Sequence, residues 1–174
     1  PLRTLFDHPT VEAFGAAIDQ AVSQGDHNHV PLLVPMPNTD SMPLSFAQQR
    51  LWFLTQMDPE SGAYNLPFAL RLGGTLDHGV LERSFLELIR RHETLRTTFP
   101  AADGEPQQVI LEVDRFSIPI EDLTGFSEAD RTAAIRRNAE LQAHQPFYLD
   151  RDMPIRAHLL RVSADVHILL VTVH

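Results

Sequence analysis

An apolar run near the end of the sequence narrows the possible folds more than any other segment. Residues 166–173 read Val-His-Ile-Leu-Leu-Val-Thr-Val, which is apolar on both faces of an extended chain and typical of a strand buried inside a sheet. Another strand is predicted just before it, over residues 155–162. Because helical and strand patterns alternate in the rest of the sequence, the predicted fold class is α/β, arranged as a two-layer sandwich.

A proline-rich segment divides the sequence into two parts. In the first part, residues 1–24, apolar side chains recur at intervals of three and four from Pro9 to about Gln24, which predicts one helix beginning at Pro9. Residues 25–42 lose this periodicity and contain several prolines, so they are interpreted as an extended linker. Residues 43–174 return to regular patterns and are expected to form a new domain.

Capping signals mark three helices in the second part. The first begins at Ser45, whose spacing to Gln48 fits a capping box, and the others begin at Asp77 and Ser127. The residues predicted to face inward from the first two helices are Ala47, Leu51, Leu54 and Met57, and Leu81, Phe85, Leu88 and Ile89. Further strands are predicted at residues 66–72 and on either side of a turn at residues 101–106.

The composition excludes several classes of protein. Fourteen Lys and Arg against 23 Asp and Glu give a net charge of −9 at pH 7, so nucleic acid is not an expected partner. No apolar stretch approaches the roughly 20 residues that cross a bilayer, and neither a membrane span nor a leader peptide is predicted. Cysteine is absent, which excludes disulfides and fits a reducing compartment, so the expected location is the cytoplasm.

Nine histidines raise the question of a metal site. His27 and His29 form an H-x-H pair beside Asp26, but the pair lies in the predicted linker, where nothing holds it in place. Asp150 and Asp152 fall in a predicted turn, so we do not expect them to act as a paired acid and base. We therefore expect no metal ion and no cofactor bound by this chain.

Two further polar features are candidates for a site. Arg91, His92, Glu93 and Arg96 form either a buried polar cluster or a solvated helix end, and the second is favoured because charged side chains are seldom buried without partners. His174 directly follows the buried strand, and strand ends in layered α/β folds often carry site residues. Strand position alone leaves His174 open between a catalytic residue and an ordinary side chain at a strand end.

Several segments of the second part resemble a known family. Residues 45–54 read Ser-Phe-Ala-Gln-Gln-Arg-Leu-Trp-Phe-Leu, and residues 91–99 read Arg-His-Glu-Thr-Leu-Arg-Thr-Thr-Phe. They resemble the first and second core motifs of condensation domains in non-ribosomal peptide synthetases, and residues 62–67 resemble the stretch between those motifs. The final residues, Val-Thr-Val-His, are similar to the approach to the third motif, H-H-x-x-x-D-G. The resemblance makes His174 the first His of that motif and the candidate catalytic residue.

The resemblance implies an incomplete, chloramphenicol-acetyltransferase-like N-terminal lobe of an amide-forming enzyme. In the family, the amine of an acceptor on one carrier domain attacks the thioester of a donor on another, and the second His of the third motif acts as base or positions the amine. That second His is not among residues 1–174, so we expect these residues alone to make no amide. The motif residues that carry over as structural are Ser45, Gln48, Arg50, Trp52, Arg91, His92, Glu93 and Arg96.

The resemblance extends to the first part and to the partners. Residues 2–11 resemble the end of a peptidyl carrier domain, which makes residues 1–24 a carrier tail whose phosphopantetheine-bearing Ser is not in this sequence. The partners implied are an upstream donor carrier and a downstream acceptor carrier, each with phosphopantetheine, and an adenylation domain in the same polypeptide. The first motif is most similar to the subtype that joins two L-amino acids.

Other functions stay open from the sequence. An epimerisation domain or a stand-alone acyltransferase would share the fold and the His motif but carry out different chemistry. A lobe that only docks carriers or acts as a scaffold is an alternative of another class, because docking needs no catalytic His.

Overall fold

The computed structural model describes residues 2–24 and 42–174. The chain divides into two compact units, Pro1–Asn38 and Thr39–His174. Nearly all of the predicted linker, and with it the His27–His29 pair, lies outside the described residues.

The described part of the first unit contains two helices, α1 (Leu2–Asp7) and α2 (Val11–Ser23). The prediction of one helix beginning at Pro9 is therefore wrong in both number and start. The side-chain oxygen of Thr10 accepts a hydrogen bond from the backbone N–H of Ala13 at 3.2 Å, so Thr10 is the N-cap and Pro9 precedes it. Because the Thr10 hydroxyl satisfies a first-turn donor, the helix begins after Thr10 and not at Pro9, which was predicted as its first residue.

A four-stranded sheet organises the described part of the second unit. The strands β1 (Leu66–Gly73), β8 (Val166–Val173) and β7 (Ile155–Ser163) are antiparallel neighbours, whereas β6 (Ile120–Asp122) runs parallel to β7. The strand order is therefore β1-β8-β7-β6. Since β8 is paired on both edges, the predicted buried strand is confirmed. β6 was not predicted, because three residues carry too little pattern to be recognised.

Three helices of this unit lie within the described residues: α3 (Phe46–Met57), α4 (His78–Arg91) and α5 (Glu128–His144). Each begins directly after its predicted cap, at Ser45, Asp77 and Ser127 respectively. The capping signals are therefore confirmed.

Helices cover both faces of the sheet. Leu159 of β7 belongs to a buried cluster with Ile89, against which Leu81 and Phe85 of α4 also pack. The next residue of β7, Leu160, belongs to a second cluster with Ala134 of α5. Successive strand side chains point to opposite faces, so α4 and α5 lie on opposite sides of the sheet. The α/β class is confirmed, and the structure differs from the prediction in having three layers instead of two.

Short strand pairs connect the main elements. The pairs are β2 (Thr97–Thr98) with β5 (Val109–Ile110), and β3 (Ala101–Ala102) with β4 (Glu105–Pro106). The turn was predicted over residues 101–106, whereas β3 and β4 take four of these residues. Only Asp103 and Gly104, with φ values of 53° and 84°, form the turn. Before β2, residues Glu93–Arg96 form a short 3-10 helix.

Candidate functional site

His174 follows the last residue of β8 and is held there by the neighbouring segment. Its backbone N–H donates a hydrogen bond to the carbonyl of Pro154 at 3.0 Å. The imidazole is half-buried and contacts the ring of Phe147 edge-on, with ring centroids 5.8 Å apart and an interplanar angle of 69°. A central strand of the sheet therefore fixes the backbone of His174, and a buried aromatic ring limits the motion of its side chain.

Arg156 also contacts the Phe147 ring. Its guanidinium carbon is 3.9 Å from the ring centroid, a cation–π geometry. The same guanidinium donates hydrogen bonds to the carbonyls of Pro146 at 3.0 Å, of Gln142 at 3.3 Å and of Gln145. These carbonyls belong to the end of α5 and the residues that follow it, where unpaired carbonyls attract a cation.

The environment favours the neutral form of the His174 imidazole. Burial lowers the pKa of His174 below its ordinary value of 6.5, and the nearby positive charge of Arg156 lowers it further. At neutral pH the ring is therefore uncharged and can accept a proton at one nitrogen while donating from the other.

Two clefts meet at Phe147. The first, which we call the Arg156 cleft, has a volume of about 680 Å³ and includes Phe147, Arg156 and Asp152 in its lining. The second, the Trp52 cleft, has a volume of about 500 Å³ and includes Phe147, Trp52 and Phe99. The residue that contacts His174 is thus shared by both clefts, and the second cleft is lined by aromatic rings from three separate segments.

Two features of the first motif have clear structural roles, its capping box and its tryptophan. Ser45 and Gln48 form the predicted reciprocal capping box, with the Ser45 N–H donating to Gln48 Oε1 at 2.8 Å. The Trp52 indole N–H donates to the carbonyl of Phe99 at 3.2 Å, which joins the first motif to the end of the second. Arg50 is exposed.

The second motif contains both exposed and buried residues. Arg91, His92 and Glu93 are exposed, as expected of a solvated helix end. The Arg96 side chain is only 14% exposed and donates to the carbonyl of Leu111 at 2.8 Å, while Glu93 lies 3.5 Å away. The favoured interpretation therefore fits the first three residues and not Arg96, which is largely buried.

The structure brings the predicted residues into two groups. Trp52 and His174 both approach Phe147, one across the Trp52 cleft and the other by ring contact. Residues 91–93 lie on the exposed helix end and belong to the lining of neither cleft. Phe147 and Arg156 were not among the predicted site residues. A charged residue within the predicted strand at residues 155–162 was a signal for Arg156, whereas no local pattern marks Phe147.

Other predicted features have structural roles or are absent from the described residues. The Asp152 carboxylate accepts the backbone N–H of Tyr148 at 3.0 Å, which stabilises the turn instead of forming an acid–base pair with Asp150. Within residues 2–24 and 42–174, no group of three His, Cys, Asp or Glu side chains could hold a metal ion. Across the same ranges, no helix has the length and apolar character needed to span a membrane.

Comparison with known proteins identifies the family. The family model described as Condensation domain matches residues 38–174. One linear gramicidin synthase protein of Brevibacillus parabrevis is 42% identical over 174 residues, covering 100% of this chain and 2% of that protein. Chondramide synthase cmdD of Chondromyces crocatus is 45% identical over 151 residues, covering 87% of this chain and 4% of that protein. The chain therefore belongs to the condensation domain family.

Solved structures agree with this assignment. The starter condensation domain of rhizomide synthetase RzmA superposes with a TM-score of 0.70 at 27% identity, covering 78% of this chain and 33% of that one. The X-domain in its complex with OxyB from teicoplanin biosynthesis superposes with a TM-score of 0.69 at 34% identity, covering 83% of this chain and 30% of that one. The predicted chloramphenicol-acetyltransferase-like N-terminal lobe is thereby confirmed, and the chain spans about a third of these solved chains.

Proposed function

We propose that residues 43–174 supply the N-terminal lobe of a condensation domain that joins two carrier-bound substrates through an amide bond. The single observation that supports this most is the setting of His174. A half-buried His with a lowered pKa lies at the end of a central strand, against an aromatic ring shared by two clefts. Its position matches the first His of the family's third motif.

The reaction proposed is transfer of an acyl group from sulfur to nitrogen. The acceptor's amine nitrogen attacks the donor's thioester carbonyl, the new C–N bond forms, and the C–S bond breaks. The proton lost by the amine ends on the departing thiol. Holding amine and carbonyl together accelerates such a reaction, because it replaces a bimolecular encounter with a fixed geometry.

The partners belong to the proposal as well. Residues 1–24 would be the tail of a donor carrier, residues 25–42 a linker, and a second carrier would deliver the acceptor. The full-length alignment to the linear gramicidin synthase protein supports this order, since that match begins upstream of residue 38. Phosphopantetheine would be brought by the carriers as part of the substrates, and an adenylation domain in the same polypeptide would supply the amino acids.

An intact-mass assay tests the proposal. A protein that holds this chain within a whole condensation domain is mixed with a donor-loaded and an acceptor-loaded carrier. The acceptor carrier should gain the mass of the donor acyl group, and an acceptor with an acetylated amine should gain nothing. Loss of donor without any gain on the acceptor would contradict amide formation.

We further propose that residues 1–174 alone do not catalyse this reaction, because the family's second His is not among them. The same carriers incubated with a protein of only these residues should show no transfer. A measurable gain of mass on the acceptor would contradict this.

A docking role is the second candidate function. It is supported by the likeness to the X-domain, whose structure is a complex with another protein. In that case a phosphopantetheinylated carrier should bind residues 1–174 in a titration, and His174→Asn should leave the affinity unchanged. Amide formation by the intact domain would show that docking is not the whole function.

A further inference from the structure

We propose that Arg156 is a positioning residue for His174 and acts through the ring of Phe147. Arg156 lies against one part of the ring at 3.9 Å from its centroid, and His174 meets the same ring edge-on at 5.8 Å between centroids. The three side chains come from β7, the segment after α5, and the end of β8. This inference deepens the proposed function and rests on it.

The guanidinium has two tasks that fix its place. It donates to three carbonyls at and beyond the end of α5, which anchors that helix end to β7. Its flat face is then left for the ring of Phe147, which is only 4% exposed. Because the hydrogen bonds set the plane of the guanidinium, the stacked ring has little freedom to turn. The position of the imidazole follows from the position of the ring.

Lysine could not replace arginine in this arrangement. An ammonium group on a flexible chain retains the charge, but it cannot make several hydrogen bonds in one plane while stacking on a ring. Substituting Lys for Arg156 therefore separates the effect of positioning from the effect of charge. The carboxylate of Asp152 acts on Arg156 from the turn before β7. The other charged residues that line the Arg156 cleft are Glu112, Asp114, Arg115 and Arg151.

The burial of Arg156 also suits a positioning role. Burial lowers the pKa of Arg156, while the carboxylate of Asp152 raises it. Its Nε atom is buried without a hydrogen-bond partner among the described residues. A partly desolvated cation is costly to keep. Arg156 is partly desolvated beside the candidate catalytic His. Its contacts with α5 and Phe147 offset part of the free energy that this desolvation costs.

The test uses the intact protein with its whole condensation domain, labelled with ¹³C-histidine. His174→Asn assigns the His174 ring signal by its loss. In both Arg156→Lys and Arg156→Met, the nuclear Overhauser contact between the Phe147 and His174 rings should weaken and the His174 signal should shift. The pKa of His174 should rise in Arg156→Met, which removes a like charge, and rise less in Arg156→Lys. The rate of amide formation should fall at least about 10-fold in both variants.

Arg151→Met is the matched control, because Arg151 makes a similar contact at 4.2 Å with the Tyr148 ring instead of Phe147. It should leave the His174 signal and pKa unchanged. Phe147→Leu keeps the hydrogen bonds of Arg156 available, and it should cause the same rate loss, with no further loss on adding Arg156→Lys. If the Arg156 variants fail to fold, Phe147→Leu alone tests the link through the ring, because it should shift the His174 signal, and an unchanged signal would overturn the inference.

The outcomes separate this inference from the proposed function. An unchanged ring contact and His174 signal in both Arg156 variants would overturn the inference, as would full rescue of the rate by Lys. Absence of amide formation in the wild-type protein would overturn the proposed function, whereas the ring contacts would still report whether Arg156 positions His174.

Discussion

His158 of β7 and His174, which follows β8, have pKa values below the ordinary 6.5, and burial is the main cause for both. His158 of β7 is half-buried, with its Nε2 atom lacking a partner among the described residues, and the carboxylate of Glu121 only partly opposes the effect of burial. His174 is affected further by Arg156. In both cases the folded protein disfavours the protonated ring.

The stability of residues 39–174 should therefore decrease in acid. The unfolded chain binds these protons near pH 6.5 and the folded chain only at lower pH, so protonation favours unfolding as the pH falls below 6.5. Chemical denaturation at about pH 8 and about pH 5.5 should show a lower free energy of unfolding at the acidic pH. His158→Gln should reduce this difference, and His144→Gln, an exposed control in the last turn of α5, should not. An equal difference in all three proteins would contradict the role of His158.

Some features at the scale of single residues could be predicted from the sequence, and others could not. The caps at Ser45, Asp77 and Ser127 were predictable because a cap and its donor lie within one helical turn. The contact between Phe147 and His174 was not, because it depends on which strand end meets which loop. Arg96 was placed on the wrong side of the boundary between solvent and interior for the same reason, since its partner Leu111 comes from a later segment.

At the scale of elements, α4 shows where periodicity stops being informative. Leu88 and Ile89 are adjacent and were both predicted to face inward, but Ile89 is 0% exposed and Leu88 is 49% exposed. The sheet covers only part of the surface of α4, so only one side of its broad apolar stripe is buried. Helical spacing gives the stripe, and only the packed sheet determines which edge is covered.

Truncation of these neighbours should separate them clearly. Ile89→Ala removes a fully buried side chain from the cluster that joins α4 to β7 and β8, and it should cost about 2–5 kcal/mol of unfolding free energy. Leu88→Ala, on the same helix and one residue away, should cost less than about 1 kcal/mol. Thermal or urea unfolding measures both. Equal losses would show that α4 does not pack as described.

Close packing between elements explains two residues of the stretch that resembles the segment between the first two motifs. A Cβ atom on Gly62 would lie 2.8 Å from the carbonyl oxygen of His144, so only glycine permits this approach to the end of α5. Asn65 donates from the same turn to the carbonyls of Ala143 and Gln145 at 2.7 and 2.8 Å. With Arg156, these residues tie the end of α5 from two sides, which gives the loop carrying Phe147 a rigid support.

At the scale of the whole molecule, family and lobe were predictable because two long motifs survive in the sequence. The number of layers was not predictable, because it depends on which face of the sheet each helix covers. Neighbouring strand residues such as Leu159 and Leu160 point to opposite faces, and α4 packs on one of them and α5 on the other. The grouping of Trp52, Phe147 and His174 around the two clefts also required the assembled fold. This grouping puts His174 against the Phe147 ring that both clefts share, which supports the role proposed for it.

The central claim is that His174 takes part in amide formation, and its replacement tests this most directly. In the intact condensation domain with loaded donor and acceptor carriers, the single-turnover rate of transfer to the acceptor is measured by intact mass. His174→Asn should lower that rate about 100-fold, because the reacting groups lose their fixed arrangement. The control His144→Asn, at an exposed position, should retain the wild-type rate. Transfer by His174→Asn at the wild-type rate would contradict the claim.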